Sequence, residues 1–161
     1  MRLGHAYAAV VALVVAQIAY FYGRLPDIVA SHFARDGLAN AYMPRASFVA
    51  FYAGLVVFLL LVFGAVSFLV SVIPTELINV PNKEHWFTDE RAATSRAWLG
   101  RELRGMGLVT VVFLVVVMQR VFMANVEGTR PCLPTSYVLV CIGGLVVALG
   151  AMAVRLMRRF S

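Results

Sequence analysis

A polar stretch between two apolar runs carries the residue types from which chemistry could arise. It covers residues 24–45 and reads RLPDIVASHFARDGLANAYMPR. His32 and Asp36 are four residues apart, and a helix would place both side chains on one face, one turn apart. A histidine beside a carboxylate can form half of a metal site or a pH-sensitive pair. The same histidine also fits a purely structural hydrogen bond, or a contact to a peptide or partner.

A complete metal site or active site needs further groups, and the sequence does not bring them together. Asp27, Asn40 and Glu127 are candidate ligands, but no spacing shows that they converge on the histidine. HExxH and GxSxG motifs are absent. Cys132 and Cys141 are predicted to be unpaired, because nine helical residues separate them by roughly 13 Å. We therefore predict a protein that is not an enzyme, with no catalytic residue, no metal and no cofactor.

The composition identifies the environment in which these residues must work. Hydrophobic residues make up 61% of the 161 residues and charged residues 14%, whereas about a quarter of a soluble domain is charged. The mean hydropathy is +0.84. The sequence therefore predicts an all-α integral membrane bundle of four transmembrane helices, forming a single domain over residues 1–161. The predicted spans are residues 6–23, 47–73, 105–126 and 136–154.

The first polar connection, residues 24–46, is predicted to hold a short helix. Pro26 is well placed in a first helical turn, Asp27 favours the positive end of the helix dipole, and Gly37 can close the helix as its C-terminal cap. This short helix is the element that would place the histidine and the carboxylate on one face.

The second long connection, residues 74–104, is predicted to hold an amphipathic helix over residues 91–104. Thr88 has the hydroxyl that a helix N-cap favours, and acidic residues follow it. The basic residues of this segment suit the headgroup layer of a membrane. Gly105 and Gly107 are predicted to form a flexible joint before the third span.

The distribution of basic residues predicts the orientation of the bundle, because cytoplasmic loops carry an excess of Lys and Arg. One face of the predicted topology has nine such residues and the other has four. The richer face holds both termini and the second long connection, so these are predicted to be cytoplasmic in a bacterial inner membrane. This topology and headgroup contact account for the +6 charge and give no indication of nucleic acid. The nine are Arg2, Lys83, Arg91, Arg96, Arg101, Arg104, Arg155, Arg158 and Arg159; the four are Arg24, Arg35, Arg45 and Arg130.

Arg120 is the basic residue inside a predicted span, where a charge is costly. Three interpretations are open. The side chain can extend to the outer headgroups, it can form an ion pair with Glu127, Asp27 or Asp36, or it can line a path for a substrate or ion.

Two motifs, one in each long connection, resemble a family of small bacterial membrane proteins that includes the SdpI-type toxin-immunity and signalling proteins. The outer motif consists of Leu25, Pro26, Asp27, His32, Phe33 and Gly37, and the inner motif of Pro81, Asn82, Lys83, Trp86, Glu90 and Arg91. The resemblance covers residues 25–42, residues 79–99 and the order of the spans. It implies a fold and a membrane location.

We expect a sensing or immunity protein whose outer connection meets an extracytoplasmic peptide or toxin and whose inner connection docks a soluble regulator. The expected outer recognition residues are Asp27, His32, Phe33, Asp36 and Arg120. The expected inner residues, for docking or for headgroup contact, are Asn82, Lys83, Trp86, Arg91 and Trp98.

Alternative functions and partners remain open for the chain. It can be an accessory subunit of a larger membrane complex or a homo-oligomer, or, less in keeping with its motifs, a small transporter or a metal-dependent membrane enzyme. The segment around Asn82 and Lys83 can also be a turn at the lipid surface or, without a glycine-rich loop, a weak candidate for phosphate binding.

Overall fold

The structure is a computed structural model that describes residues 3–128 and 130–161, so Arg2 lies outside the described residues. Four long helices are each apolar enough to cross a membrane, which confirms the predicted four-span, all-α bundle. These are α1 (Leu3–Tyr22), α2 (Arg45–Val72), α4 (Ala92–Glu127) and α5 (Thr135–Phe160). The first connection contains strands β1 (Ile28–Phe33) and β2 (Ala39–Pro44), and the second contains a 3₁₀ turn (Thr75–Leu77) and the short helix α3 (Lys83–Trp86).

Helix α4 is the centre of the bundle and contacts α1, α2, α5 and β1. Its Val111 and Phe122 are completely buried. The Phe122 ring stacks on Phe21 at 5.0 Å and meets the edges of Phe48 and Tyr52, both at 5.8 Å. Large apolar side chains on α2 and α5 point away from this core, as expected for helix faces whose solvent is lipid.

The predicted amphipathic helix and the third span form one continuous helix, α4, so the flexible joint at Gly105 and Gly107 is wrong. Gly107 instead allows α2 to approach, because a Cβ atom there would lie 2.6 Å from Cβ of Phe63. The predicted Thr88 side-chain cap is also wrong. The Thr88 carbonyl accepts from the backbone N–H groups of Arg91 and Ala92, and the helix begins without a side-chain cap.

The predicted short helix in the first connection is wrong, because residues 28–44 form an antiparallel β-hairpin. Ile28 lies opposite Pro44 and Val29 opposite Met43, with irregular pairing near His32. Gly37 has φ +84° and occupies the turn, where a Cβ atom would lie 2.5 Å from the Leu133 carbonyl oxygen. The glycine thus serves a turn and a close approach rather than a helix cap.

The hairpin is fixed to the helices at one end of the bundle, which we call the hairpin end. The side chain of Asn125 on α4 accepts from the Ala30 N–H at 2.7 Å and donates to the Ala30 carbonyl at 3.1 Å. The segment between α4 and α5 holds the turn, since Leu133 N–H donates to the Gly37 carbonyl at 2.8 Å. The opposite end of the bundle holds α3, the start of α1 and the end of α5, and we call it the termini end.

Candidate functional site

An apolar groove of about 550 Å³ lies beneath the hairpin, between α2, α4 and α5. Helix α4 forms one wall with side chains that recur along two turns, and α2 forms the facing wall in the same way. Phe51, which is 66% exposed, lies at the lipid-facing side of this groove. The apolar lining consists mainly of Phe33, Met43, Phe48, Phe51, Leu55, Leu114, Val117, Met118, Val121, Leu133 and Val138.

The polar side chains of the groove are concentrated at its hairpin end. Ser31, His32 and Arg35 come from the hairpin, and Thr135 comes from the start of α5. The Thr135 hydroxyl donates to the Arg35 carbonyl at 2.9 Å, which fixes the backbone that carries the guanidinium. His32 and Arg35 are both exposed. Neither forms a salt bridge with any described residue, so the polar mouth of the groove has a cation without a partner.

The structure separates the predicted outer recognition residues. His32 and Phe33 line the groove. Asp27 instead forms an exposed ion pair with Arg45 at 3.0 Å, and such a pair contributes little to stability. Asp36 accepts from the Leu38 N–H at 2.9 Å within the turn. The predicted helical face shared by His32 and Asp36 is therefore wrong, because Asp36 belongs to the turn and His32 to a strand.

Arg120 does not join this site. It is partly exposed near the hairpin end of α4, and it is not among the groove-lining residues. Within residues 3–128 and 130–161 it forms no ion pair, so the interpretation that Arg120 pairs with Glu127, Asp27 or Asp36 is wrong.

A polar network at the level of the groove, centred on the buried side chains of Gln17 and Tyr52, was not predicted from the sequence. The Tyr52 hydroxyl donates to Oε1 of Gln17 at 2.7 Å, and Nε2 of Gln17 donates to Oε1 of Gln119 at 2.8 Å and to the Val115 carbonyl at 3.2 Å. It connects α1, α2 and α4 in the apolar part of the bundle. The sequence feature that could have indicated this network is Gln17, a lone amide in an otherwise apolar segment. Polar groups in a membrane span are costly unless they have partners.

The predicted inner residues surround Phe160, which is completely buried at the termini end. The Trp86 indole N–H donates to the Phe160 carbonyl at 3.2 Å, and the rings of Trp86 and Trp98 lie 6.0 and 5.7 Å from its ring. Asn82, in a left-handed conformation with φ 47°, donates to the Ser161 carbonyl at 3.3 Å. These three inner residues therefore share a structural cluster.

Lys83 and Arg91 lie beside that cluster with other partners. The Lys83 ammonium donates to the Glu76 carbonyl at 3.2 Å, and the Arg91 guanidinium lies 2.7 Å from Nε2 of His85. An additional acid, Glu102, is buried on α4 and pairs with Arg155 of α5 at 3.6 Å. The polar groups of the termini end thus fix α3, α4 and α5 to one another.

Metal-ligating side chains are dispersed over the described residues, where no three His, Cys, Asp or Glu side chains approach closely enough to hold an ion. Cys132 and Cys141 are free thiols, which confirms that they are unpaired. The hairpin end has an apolar groove with a basic, hydrogen-bonding mouth, an arrangement suited to binding.

Comparison with known proteins relates the hairpin end of the bundle to an uncharacterised family. Residues 9–57 match the family model described as a domain of unknown function, DUF1648. The matched segment contains most of α1, the whole hairpin and the α2 wall of the groove. No curated protein and no solved structure matches the chain. The match relates this segment to an uncharacterised family, and the four apolar helices support a multi-pass membrane protein.

Proposed function

We propose that this chain is a non-enzymatic bacterial inner-membrane protein of the SdpI-like type. In this proposal the hairpin senses, or gives immunity to, an extracytoplasmic peptide or toxin, and the segment between α2 and α4 transmits the signal to a soluble regulator. The observation that carries the proposal is the ordered hairpin, which lies within the DUF1648 match and is held to α4 by Asn125.

The outer edge of β2 is suited to an extended peptide. Residues 40–43 form no backbone hydrogen bond with any described residue outside the hairpin, and an unpaired strand edge can accept a further strand. Tyr42 is 54% exposed on this strand and supplies the kind of rigid aromatic anchor on which peptide recognition commonly depends. The edge is short and ordered, so a peptide would add to it without first folding the hairpin.

The termini end is suited to transmission. Residues of α3 contact the end of α5 through Phe160, while the adjacent Arg91 and Lys83 present positive charge at the surface. Because α4 runs without interruption from this end to Asn125 beneath the hairpin, one rigid helix connects the two proposed contact regions.

A substitution at the β2 edge tests the peptide proposal in cells. Cells that lack the native gene would express wild-type protein or Tyr42→Lys, and their survival would be measured after exposure to peptides secreted by the same strain. A charged side chain opposes strand addition at an edge, and loss of an aromatic anchor typically costs more than about 1 kcal/mol. We expect tolerance to fall roughly tenfold with Tyr42→Lys.

Met157→Lys is the matched control, since Met157 is 58% exposed near the end of α5, outside both the hairpin and the segment between α2 and α4, and should leave tolerance unchanged. Membrane amounts of all three proteins would be compared by immunoblot. Wild-type, Tyr42→Lys and gene-deleted cells would be compared after exposure to the secreted peptides. Equal survival of all three would refute the proposal.

A further inference from the structure

We infer that the groove beneath the hairpin binds a single-chain anionic amphiphile of the fatty-acid class, taken from the bilayer, with its chain along the groove and its carboxylate at Arg35. This goes beyond the proposed peptide function, which uses the outer edge of β2, and stands independently of it. Nothing in the DUF1648 description assigns a ligand to this groove.

The length and volume of the groove suit the carboxyl-proximal part of one hydrocarbon chain. Phe48, Tyr52 and Leu55 follow one another along α2, and Leu114 and Val121 mark a parallel wall on α4. Seven residues of helix correspond to about 10 Å, so the groove would hold the part of the chain next to the carboxylate, and the rest would remain in the roughly 15 Å of hydrocarbon of that leaflet. The volume of about 550 Å³ lies within the usual range for a small-molecule site.

The lining of the groove changes from apolar to polar toward the hairpin end, just as an amphiphile changes from its chain to its headgroup. The part between the helices is apolar, and the hairpin end carries Ser31, His32, Arg35 and Thr135. Arg35 has no acidic partner among the described residues, and a carboxylate is the group that a guanidinium binds best through paired hydrogen bonds. A ligand with its hydrocarbon chain between the helices and its carboxylate at the hairpin end would contact the apolar lining and pair with Arg35.

A hydrocarbon chain fits this location better than a peptide does. The lower groove is lined by apolar side chains of spanning helices, and a peptide backbone placed there would bring unpaired N–H and C=O groups into hydrocarbon. A chain of methylenes has no such groups. It can also enter sideways from the lipid past Phe51, which is 66% exposed.

Spin-labelled stearic acid tests the inference with full-length protein in phosphatidylcholine vesicles. Electron paramagnetic resonance would measure the protein-immobilised fraction of the acid and of its methyl ester. We expect the wild-type protein to immobilise a larger fraction of the acid than of the ester. Val117→Trp, which fills the groove from α4, should abolish the preference, whereas Val57→Trp, on an exposed site of α2 outside the groove, should retain it.

Arg35→Gln separates the headgroup contact from the chain contact. It should weaken binding of the acid about two- to fivefold, as expected for a solvent-accessible charge pair, and leave binding of the ester unchanged. Arg130→Gln, an exposed arginine outside the groove, should change neither. Val138→Phe narrows the groove from α5 and replaces Val117→Trp if that variant does not fold.

Two results would overturn the inference. The first is equal immobilisation of the acid by wild type, Val117→Trp and Val138→Phe, which would place bound lipid elsewhere on the bundle. The second is an equal loss of acid and ester with Arg35→Gln, which would remove the carboxylate contact. Tyr42→Lys should leave acid binding intact, so a failure of the peptide proposal and a failure of the groove proposal are distinguishable.

Discussion

Asn125 attaches strand β1 of the hairpin to helix α4. Its amide oxygen accepts from the Ala30 N–H, and its amide nitrogen donates to the carbonyls of Ala30 and Val121. Ala30 is completely buried, so its backbone groups have no access to water as an alternative partner. One asparagine thereby substitutes for a neighbouring strand along the inner edge of β1.

Removing this amide should detach the hairpin. Asn125→Ala leaves two buried backbone groups of Ala30 without partners, and each such group costs about 1 to 3 kcal/mol. We expect a lower melting temperature in detergent and faster proteolytic cleavage within residues 28–44. Asn40→Ala, at an exposed asparagine of β2, is the control and should behave as wild type. If both variants resist protease equally, the apolar contacts and the hydrogen bonds to residues 131–135 hold the hairpin without the Asn125 amide.

Gln17 and Tyr52 illustrate which residues the sequence could reveal. A single amide in an apolar segment was visible as a candidate for buried hydrogen bonding, but its partners come from two other helices, and the sequence does not show how the helices pack. His32 and Phe33, which the motif marks for recognition, line the groove, and their recognition role stays a prediction. The position of Asp36 was predicted wrongly, because the same turn-forming residues suit the end of a helix and the turn of a hairpin.

Among the elements, α4 depends on close approach by α2. Gly107 touches the Phe63 side chain so closely that a Cβ atom would lie 2.6 Å from Cβ and 2.7 Å from Cγ of that residue. These atoms are near the α2 backbone and cannot swing away as the tip of a long side chain could. Relief of the clash would therefore require movement of one helix against the other.

Gly107→Ala should consequently destabilise the bundle by about 1 to 3 kcal/mol, the usual range for overpacking. Gly143→Ala is the matched control, because nothing lies within 4 Å of a Cβ atom there and alanine favours a helix by up to about 1 kcal/mol. Thermal unfolding in the same detergent would compare both variants with wild type. A melting temperature for Gly107→Ala at or above that of Gly143→Ala would contradict the packing argument.

The long helices could be predicted because the bilayer itself sets their length and composition. Both ends of α4 were predicted closely, as the start of the amphipathic helix and the end of the third span, but the continuity between these two segments was not. The end of α5 was also missed, since this helix continues to Phe160 through a charged segment that hydropathy assigns to a loop. The hairpin was missed for a different reason. Pro26, Asp27 and Gly37 are local signals, while the choice of strand is made by Asn125 and by the segment around Leu133, both about a hundred residues away in sequence.

At the scale of the whole molecule, the two ends of the bundle differ in structure and in charge. The hairpin end has a sheet, a groove and four arginines in the connections or at their ends, whereas the termini end has an aromatic cluster and twice as many described basic residues, which are Lys83, Arg91, Arg96, Arg101, Arg104, Arg155, Arg158 and Arg159. A bilayer protein with this asymmetry should keep the basic end in the cytoplasm. The proposed functions of the hairpin depend on that orientation, because an extracytoplasmic peptide can reach only the outer end.

Cys132 provides a direct test of this orientation. It is exposed in the segment beside the hairpin, where Leu38 pairs with it in an isolated β-bridge, while Cys141 lies among apolar side chains between α4 and α5. With the hairpin end outside, a membrane-impermeant maleimide should label Cys132 in intact cells, because the reagent stays in the outer aqueous phase and reacts with the thiolate of an exposed cysteine. Cys132→Ser should abolish labelling, and adding Leu77→Cys to that variant should restore it only after permeabilisation. The reverse pattern would place the hairpin in the cytoplasm and exclude it as a receptor for an extracytoplasmic peptide.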